Sequence, residues 1–429
     1  MTQAGPVRPD SSRRIVLGIG GGIAAYKVCE VLRRLTEAGH LVRVVPTEAA
    51  LKFVGAPTWE ALSGFPAHHD PFIDVAEVPH VRLGQAADLV LVAPATGDLL
   101  ARAAQGRADD LLCATLLTAR CPVLFVPAMH TEMWEHPATQ DNVALLRSRG
   151  TVVAQPASGR LTGADSGAGR LPEPTEIVEL ATLLLHRGDA LRTDLTGHDV
   201  VISTGGTREP LDPVRYLGNR SSGRQGYALA RVAAQRGARV TLIAAHTADL
   251  TDPAGVEVVR VGTASQLREA VLKAAAHADA VVMAAAVADF RPAVSRPNKI
   301  KKTGTDPDPV ALVVNPDVLA ELVRYRPRGQ VVVGFAAETG DPEADVLAHG
   351  RAKLARKGCD LMVVNAVGEG RTFEIDQNTG WLLGDDGTET ALPEGPKSLL
   401  ASYVWDAVAA RLTGERPSQI RVRHPPAGR

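Results

Sequence analysis

Short apolar runs alternate along this chain with longer stretches whose apolar positions recur at helical spacing, the signature of parallel strands joined by crossover helices. In the first half the pattern predicts strands at 14–19, 41–46, 88–93, 123–127 and 151–154. Helices are predicted at 23–38, 96–104, 109–119 and 138–149, with Gly39 capping the first. Residues 156–174, rich in Gly, Ser and Pro, read as a surface loop or a lid. A helix at 175–186 follows, then a linker. The second half repeats the rhythm, with strands at 199–203, 239–244, 280–285, 330–334 and 360–364. Its helices are predicted at 225–236, 264–277, 316–323, 342–357 and 396–412, with a hairpin over 373–383 centred on Gln377-Asn378-Thr379-Gly380. The fold class is therefore α/β, with two doubly wound domains at 14–187 and 199–413. A linker at 188–198 joins them, and a flexible N-terminus (1–13) and a disordered tail (414–429) flank them.

Composition adds boundaries. At 429 residues the chain exceeds what one core organises, and 45% apolar with 22% charged residues is ordinary for a globular protein. A formal net charge of -1 offers no overall attraction to nucleic acid or to an anionic membrane. The four cysteines form neither a CxxC pair nor a zinc spacing, which points to a reducing, cytoplasmic setting. No apolar run is long enough to span a bilayer.

Chemistry concentrates where predicted strands end. Gly18 to Lys27 (GIGGGIAAYK) follows a strand and opens a helix, so Gly20, Gly21 and Gly22 form a turn able to approach a phosphate. Thr47 ends the second strand where a nicotinamide-dinucleotide site would place an acid, which disfavours a nicotinamide oxidoreductase. With Ala95-Thr96, Pro127-Ala128-Met129-His130 and the glycine-rich loop, the set (GGIAAYK, TEAA, HVRL, APATGDLLA, PAMxxxMW, GxxxGxGR) resembles the flavoprotein cysteine decarboxylases, specifically the phosphopantothenoylcysteine decarboxylases. The resemblance implies a flavodoxin-like or Rossmann-like flavoprotein domain that holds FMN at Gly20 to Gly22, Thr47, Ala95, Thr96 and Met129. It further implies that the cysteinyl thiol is oxidised so that CO2 departs to leave an enethiolate. His80, in Pro79-His80-Val81-Arg82-Leu83, matches the family's essential histidine; alone it would read as structural. Two departures stand out. His130 replaces the family's carboxylate-binding Asn, and Thr162 and Asp165 occupy a lid where the family carries a proton-donating cysteine.

The second half carries Ser203-Thr204-Gly205-Gly206-Thr207, then Asn219-Arg220-Ser221-Ser222-Gly223, Ala284 to Phe290, Lys299-Ile300-Lys301-Lys302, Asn315-Pro316-Asp317 and Gly334 to Glu338. In order and spacing these resemble the phosphopantothenate–cysteine ligases, with a Rossmann-like fold. The resemblance implies activation of 4′-phosphopantothenate by CTP as an acyl-cytidylate, then displacement of CMP by the amine of L-cysteine. It assigns CTP contacts to Gly205, Gly206, Ser221, Ser222, Ala285, Asp289, Lys299 and Phe335. Asn219, expected as a buried amide, would handle the acyl-cytidylate, Lys299 would neutralise phosphate charge, and Asp289, at a strand end, would hold Mg2+ or another divalent cation.

The two halves together imply a bifunctional enzyme of coenzyme A synthesis acting on small molecules, without nucleic acid or membrane partners. The resemblance also implies a large homo-oligomer of decarboxylase trimers and ligase dimers. The thiol-free lid keeps one alternative open, a ligase whose flavin domain is inactive, regulatory or assembly-forming.

Overall fold

The computed structural model describes residues 12–70, 72, 78–160, 166–301, 309–338, 345–366 and 377–414. The expected flexible N-terminus and disordered tail lie almost wholly outside these residues. The chain divides into two compact units, Met1–Thr193 and Asp194–Arg429.

The first unit is built on a parallel five-stranded sheet: β1 (Arg14–Ile19), β2 (Leu41–Pro46), β3 (Leu89–Ala95), β4 (Val123–Pro127) and the short β5 (Val152–Val153), ordered β2-β1-β3-β4-β5. This is the flavodoxin strand order, in which the chain reverses direction across the sheet between β1 and β3. Its helices form because apolar side chains repeat on one stripe. In helix Ala25–Glu37, Val28, Val31, Leu32 and Leu35 fall at spacings of three and four and are all fully buried.

Two antiparallel strands, β6 (Ala157–Arg160) and β7 (Ser166–Arg170), form a hairpin where the composition suggested only a loop. Helices Ala56–Ser63, Pro79–Ala86 and Thr131–Glu135 were also missed by the apolar periodicity, being too short for a full stripe.

The second unit holds an eight-stranded sheet, with β9 (Arg208–Pro210) and β10 (Tyr216–Gly218) paired outside it, as are β14 (Phe290–Pro292) and β15 (Leu312–Val314). The sheet contains β8 (Asp199–Thr204), β11 (Arg239–Ala244), β12 (Val256–Arg260), β13 (Ala280–Met283), β16 (Val331–Glu338), β17 (Leu361–Ala366), β18 (Gln377–Gly384) and β19 (Glu389–Pro396). Its order is β12-β11-β8-β13-β16-β17-β18-β19, and the first six are parallel. Those six follow the Rossmann order, which puts the crevice between β8 and β13. Helix Lys397–Thr413 covers one face; Trp405 is fully buried and its Nε1 donates to the Leu229 carbonyl at 2.9 Å.

Three expectations are corrected. Gln377 to Gly380 belong to β18, paired with β17 and β19, and the turn falls at 385–388, where Asp386 and Gly387 supply the turn chemistry. β12, unpredicted, is half-exposed and short. β13 stops at Met283, so Ala285 and Asp289 lie in the loop beyond it, while β16 runs on past Phe335. The boundary between the two units falls within the stretch expected as a linker, in which Ala190, Leu191 and Leu195 are buried.

Arg236 ties that stretch down. Its side chain is fully buried; Nε and Nη2 donate to Asp194 at 2.7 and 2.5 Å, and Nη1 donates to Asp406 at 2.8 Å and to the Ser402 carbonyl at 3.1 Å. Removing one partner of a buried pair leaves the other charge uncompensated and costs about 3–5 kcal/mol. Arg236→Met is therefore expected to lower the unfolding free energy of the second unit by about 3 kcal/mol in a denaturant titration. A loss under about 1 kcal/mol would contradict this role.

Candidate functional site

The carboxyl edge of the first sheet gathers most of the residues assigned to FMN. The Gly20 N–H donates to the Pro94 carbonyl at 3.0 Å, and the Thr47 N–H to Ile19 at 2.9 Å, so the turns after β1, β2 and β3 meet at one point. Glycine is required here for packing inside the protein: a Cβ on Gly20 would sit 2.3 Å from the Pro94 oxygen, and one on Gly21 2.4 Å from the Ala49 methyl. Gly22 is the more open of the three, with Thr96 Cγ2 at 3.7 Å its nearest neighbour. Thr47 and Thr96 each cap a helix, accepting from Ala50 and Leu99 at 3.2 Å. A capping hydroxyl uses only lone pairs, so both retain an O–H to donate to an anion.

Met129 and His130 arrive on the loop after β4, where Ala128 N–H donates to the Ala95 carbonyl at 3.0 Å. The exposed His130 N-caps helix Thr131–Glu135 through its backbone. The hairpin rests directly on this loop. Met129 N–H donates to the Gly169 carbonyl at 2.9 Å, and a Cβ at Gly169 would stand 2.3 Å from the Met129 oxygen. A Cβ at Gly167 would meet Thr131 Oγ1 at 2.4 Å, and that hydroxyl is buried without a hydrogen-bond partner. At the hairpin's base Glu173 pairs with Arg170 and lies 3.6 Å from the Lys27 ammonium of the first helix. Thr162 and Asp165 lie outside the described residues.

His80 is half-buried in the first turn of helix Pro79–Ala86, its carbonyl accepting from Thr118 Oγ1 at 2.8 Å. Its ring Nδ1 is buried without a hydrogen-bond partner among the described residues. A cavity of about 490 Å3 lies along β1, β2 and the same helix, lined by Arg43, Phe65, His68, Arg82 and Leu83 among others; it includes neither His80 nor the glycine turn.

In the second unit the crevice between β8 and β13 is closed by backbone bonds. Gly206 bridges Ala286, the Ala286 N–H donates to Gly205 at 2.8 Å, and the Ala285 N–H to Ser203 Oγ at 3.3 Å. Asn219, expected as a buried amide, is exposed on the loop after β10, because this loop crosses the open edge of the sheet. Its Nδ2 donates to the Val287 carbonyl at 3.0 Å, and a Cβ on Gly206 would lie 2.6 Å from the Asn219 oxygen. Ser221 Oγ accepts from the Gly223 N–H at 3.3 Å, and Gly223 in the left-handed region starts helix Arg224–Gln235, with Ser222 partly buried beside it. Gly205, Gly206, Asn219, Ser221 and Ala285 thus share one edge.

Asp289 is exposed just before β14, and its carbonyl accepts from the Asn315 N–H at 2.8 Å. Among the described residues the one cluster with metal-holding spacing is Asp109, Asp110 and Cys113, where Arg102 already supplies the positive charge. Lys299 is exposed on an irregular loop, and Phe335 is half-buried within β16. Sequence reasoning missed Thr207, whose Oγ1 accepts from Ala288 N–H at 2.9 Å, and Asp212, which binds the Lys299 loop. A Thr directly after Gly205-Gly206 was the available signal for the first.

Comparison with known proteins follows the same division. Residues 5–186 match the Flavoprotein family, and residues 195–412 match the DNA/pantothenate metabolism flavoprotein C-terminal domain. The fold and site therefore define a flavoprotein unit followed by a second α/β unit of pantothenate metabolism. Over 407 residues the chain is 67% identical to the coenzyme A biosynthesis bifunctional protein CoaBC of Mycobacterium tuberculosis, covering 94% of this chain and 97% of that one. It is equally 67% identical to the CoaBC of Mycolicibacterium smegmatis over 94% of this chain and 99% of the relative. A crystal structure of a CoaBC C-terminal domain aligns with a TM-score of 0.44 at 31% identity, over 52% of this chain and all of that one. The chain belongs to the CoaBC family of bifunctional coenzyme A biosynthesis enzymes, which pair phosphopantothenoylcysteine decarboxylase with phosphopantothenate–cysteine ligase. The ligase-only alternative is not favoured.

The docked hairpin makes a prediction. A methyl at residue 167 must displace Thr131 or the hairpin, and overpacking of this kind costs about 1–3 kcal/mol. Gly167→Ala should lower decarboxylation roughly tenfold while CTP-dependent ligation is unchanged, and Gly167→Ala with Thr131→Ala should recover most of it. Failure of the double variant to recover would show that the Thr131 contact is not the cause.

Proposed function

We propose that the second unit joins 4′-phosphopantothenate to L-cysteine at the expense of CTP and that the first unit decarboxylates the product with FMN, giving 4′-phosphopantetheine. In the ligase step the pantothenate carboxylate attacks the α-phosphorus of CTP and pyrophosphate leaves. The cysteine amine then attacks the acyl carbon, losing a proton as CMP departs. The observation that carries this reading is the meeting of Asn219 with the Ala285–Val287 backbone at the switch point of a Rossmann-ordered sheet. There Asn219 presents an amide carbonyl to the attacking amine, and Gly205, Gly206, Ser221 and Ser222 line the phosphate path at a helix start. Lys299 supplies a point charge for the leaving pyrophosphate. Asp289 would supply one carboxylate to a divalent cation, whose other ligands would be nucleotide phosphate oxygens and water, as is common for Mg2+.

In the first unit, the hydroxyls of Thr47 and Thr96, the backbone around Gly22 and the loop at Met129 hold the flavin phosphate and ring edge. Bound FMN supplies a two-electron acceptor and donor for the substrate sulfur. His80, through the Nδ1 that finds no partner among the described residues, takes the thiol proton or orients the carboxylate. His130 donates to the same carboxylate in place of the family's Asn. Thr162 and Asp165 take the lid role. The reading includes flavin sites completed between subunits of a trimer. Exposed apolar residues on β14 and β15, among them Phe290, Leu312 and Val314, support pairing of ligase units. No helix among the described residues is long and apolar enough to cross a membrane, and the reading places the enzyme in the cytoplasm.

Two single variants test the division of labour. Lys299→Gln should cut CTP-dependent pyrophosphate release by about 10²–10³ and leave decarboxylation of supplied phosphopantothenoylcysteine intact. His80→Asn should cut decarboxylation by about 10²–10⁴ and leave pyrophosphate release intact. Equal loss of both activities in either variant would refute two independent sites.

A further inference from the structure

Asp212 lies in the turn between β9 and β10, the second of which leads directly into Asn219. Its side chain is fully buried, unusual for an acid in a surface turn. Oδ1 accepts from the N–H groups of Val214 and Arg215, each at 2.8 Å, an ordinary way for an aspartate to close its own turn. Oδ2 does something else. It accepts from Arg215 Nε at 3.0 Å and from the Ile300 N–H at 3.2 Å, a residue 88 positions along the chain. Arg215 Nη2 completes the grip by donating to the Ile300 carbonyl at 2.6 Å, and Arg296 N–H donates to the Leu211 carbonyl at 3.0 Å. Burial alone would raise the Asp212 pKa; the donors from Val214, Ile300 and Arg215 outweigh it and hold the carboxyl at about 2. The clamp is therefore charged throughout the working pH range and is lost only as pH falls below the ordinary carboxyl range toward that value.

The nitrogen that Asp212 grips belongs to the peptide bond between Lys299 and Ile300. Both polar groups of Ile300 are thus fixed while the Lys299 side chain stays exposed beside them. We propose that Asp212, with Arg215 as its second arm, is a positioning residue for the ligase reaction. It fixes the backbone of the lysine loop against the β9–β10 hairpin, whose second strand leads into Asn219, so that Lys299 and Asn219 act on one nucleotide. This rests on the reading of Lys299 as the charge-neutralising group.

The test is a double-variant cycle in the full-length enzyme, reading CTP-dependent pyrophosphate release, with decarboxylation of supplied substrate as the control for an intact chain. Misplacing a reacting group by about 1 Å costs roughly 10²-fold. Asp212→Asn should lower turnover by 10- to 100-fold, approximately as that geometric loss implies, and adding it to Lys299→Gln should cost nothing further. Losses that multiply in the double variant overturn the proposal, as does full turnover in Asp212→Asn when Lys299→Gln is impaired. Full turnover in Lys299→Gln instead sinks the reading of Lys299 and the clamp with it. Should Asp212→Asn unfold the ligase unit, Arg215→Met removes the second arm, whose Nη2 holds the Ile300 carbonyl, without constraining the Lys299 backbone. The same loss with an unchanged unfolding transition supports the clamp, and wild-type turnover overturns it.

Discussion

The parallel ladder between β8 and β13, running from Val200 opposite Ala280 to Ser203 opposite Met283, is the constraint on which the ligase site depends. Because the pair is parallel and in register, both strands end together and both following loops leave at the same edge. The Gly206–Ala286 bridge extends that pairing beyond the strands, where side chains would otherwise intervene. Asn219, Thr207 and Asn315 then fasten the loops by side-chain bonds to Val287, Ala288 and the Ala288 carbonyl. A one-residue slip would move each of these off its partner.

The first unit meets the same problem with a different device. Its crevice lies between β1 and β3, and the turns are brought together by glycines whose missing side chains let backbone meet backbone. Gly20 against Pro94, Gly21 against Ala49, Gly167 against Thr131 and Gly169 against Met129 are all positions where a Cβ would intrude. The glycine turn and the hairpin are thus held by close approach. Thr131 Oγ1 and His80 Nδ1 are buried without a hydrogen-bond partner among the described residues.

Much of this was legible beforehand. Buried parallel strands are continuous apolar runs, so β1, β2, β4 and β11 were read to the residue. The glycine turns were legible in local composition, whereas Asn219 and Lys299 were singled out only by the family resemblance, since alone they read as a turn residue and a solvated basic loop. What escaped had no local signal. The hairpin at 157–170 is made of glycine and serine, which announce a turn but not a ladder. Gln377 to Gly380 looks like a turn and is a strand because β17 and β19 flank it. Asp212 looks like any loop aspartate between prolines, and its importance comes from a peptide 88 residues away. Within the stretch expected as a linker, Leu195 is buried and Asp194 is held by Arg236, which was read only as a helix end.

The central claim is that one chain carries both reactions despite a lid that lacks the family's cysteine. The most direct measurement supplies the purified enzyme with CTP, 4′-phosphopantothenate and L-cysteine labelled in its carboxyl carbon, and follows CMP and labelled CO2 together. The account predicts CO2 in step with CMP and none when CTP is omitted. CMP formed at full rate with no labelled CO2, from protein carrying its flavin, would contradict it.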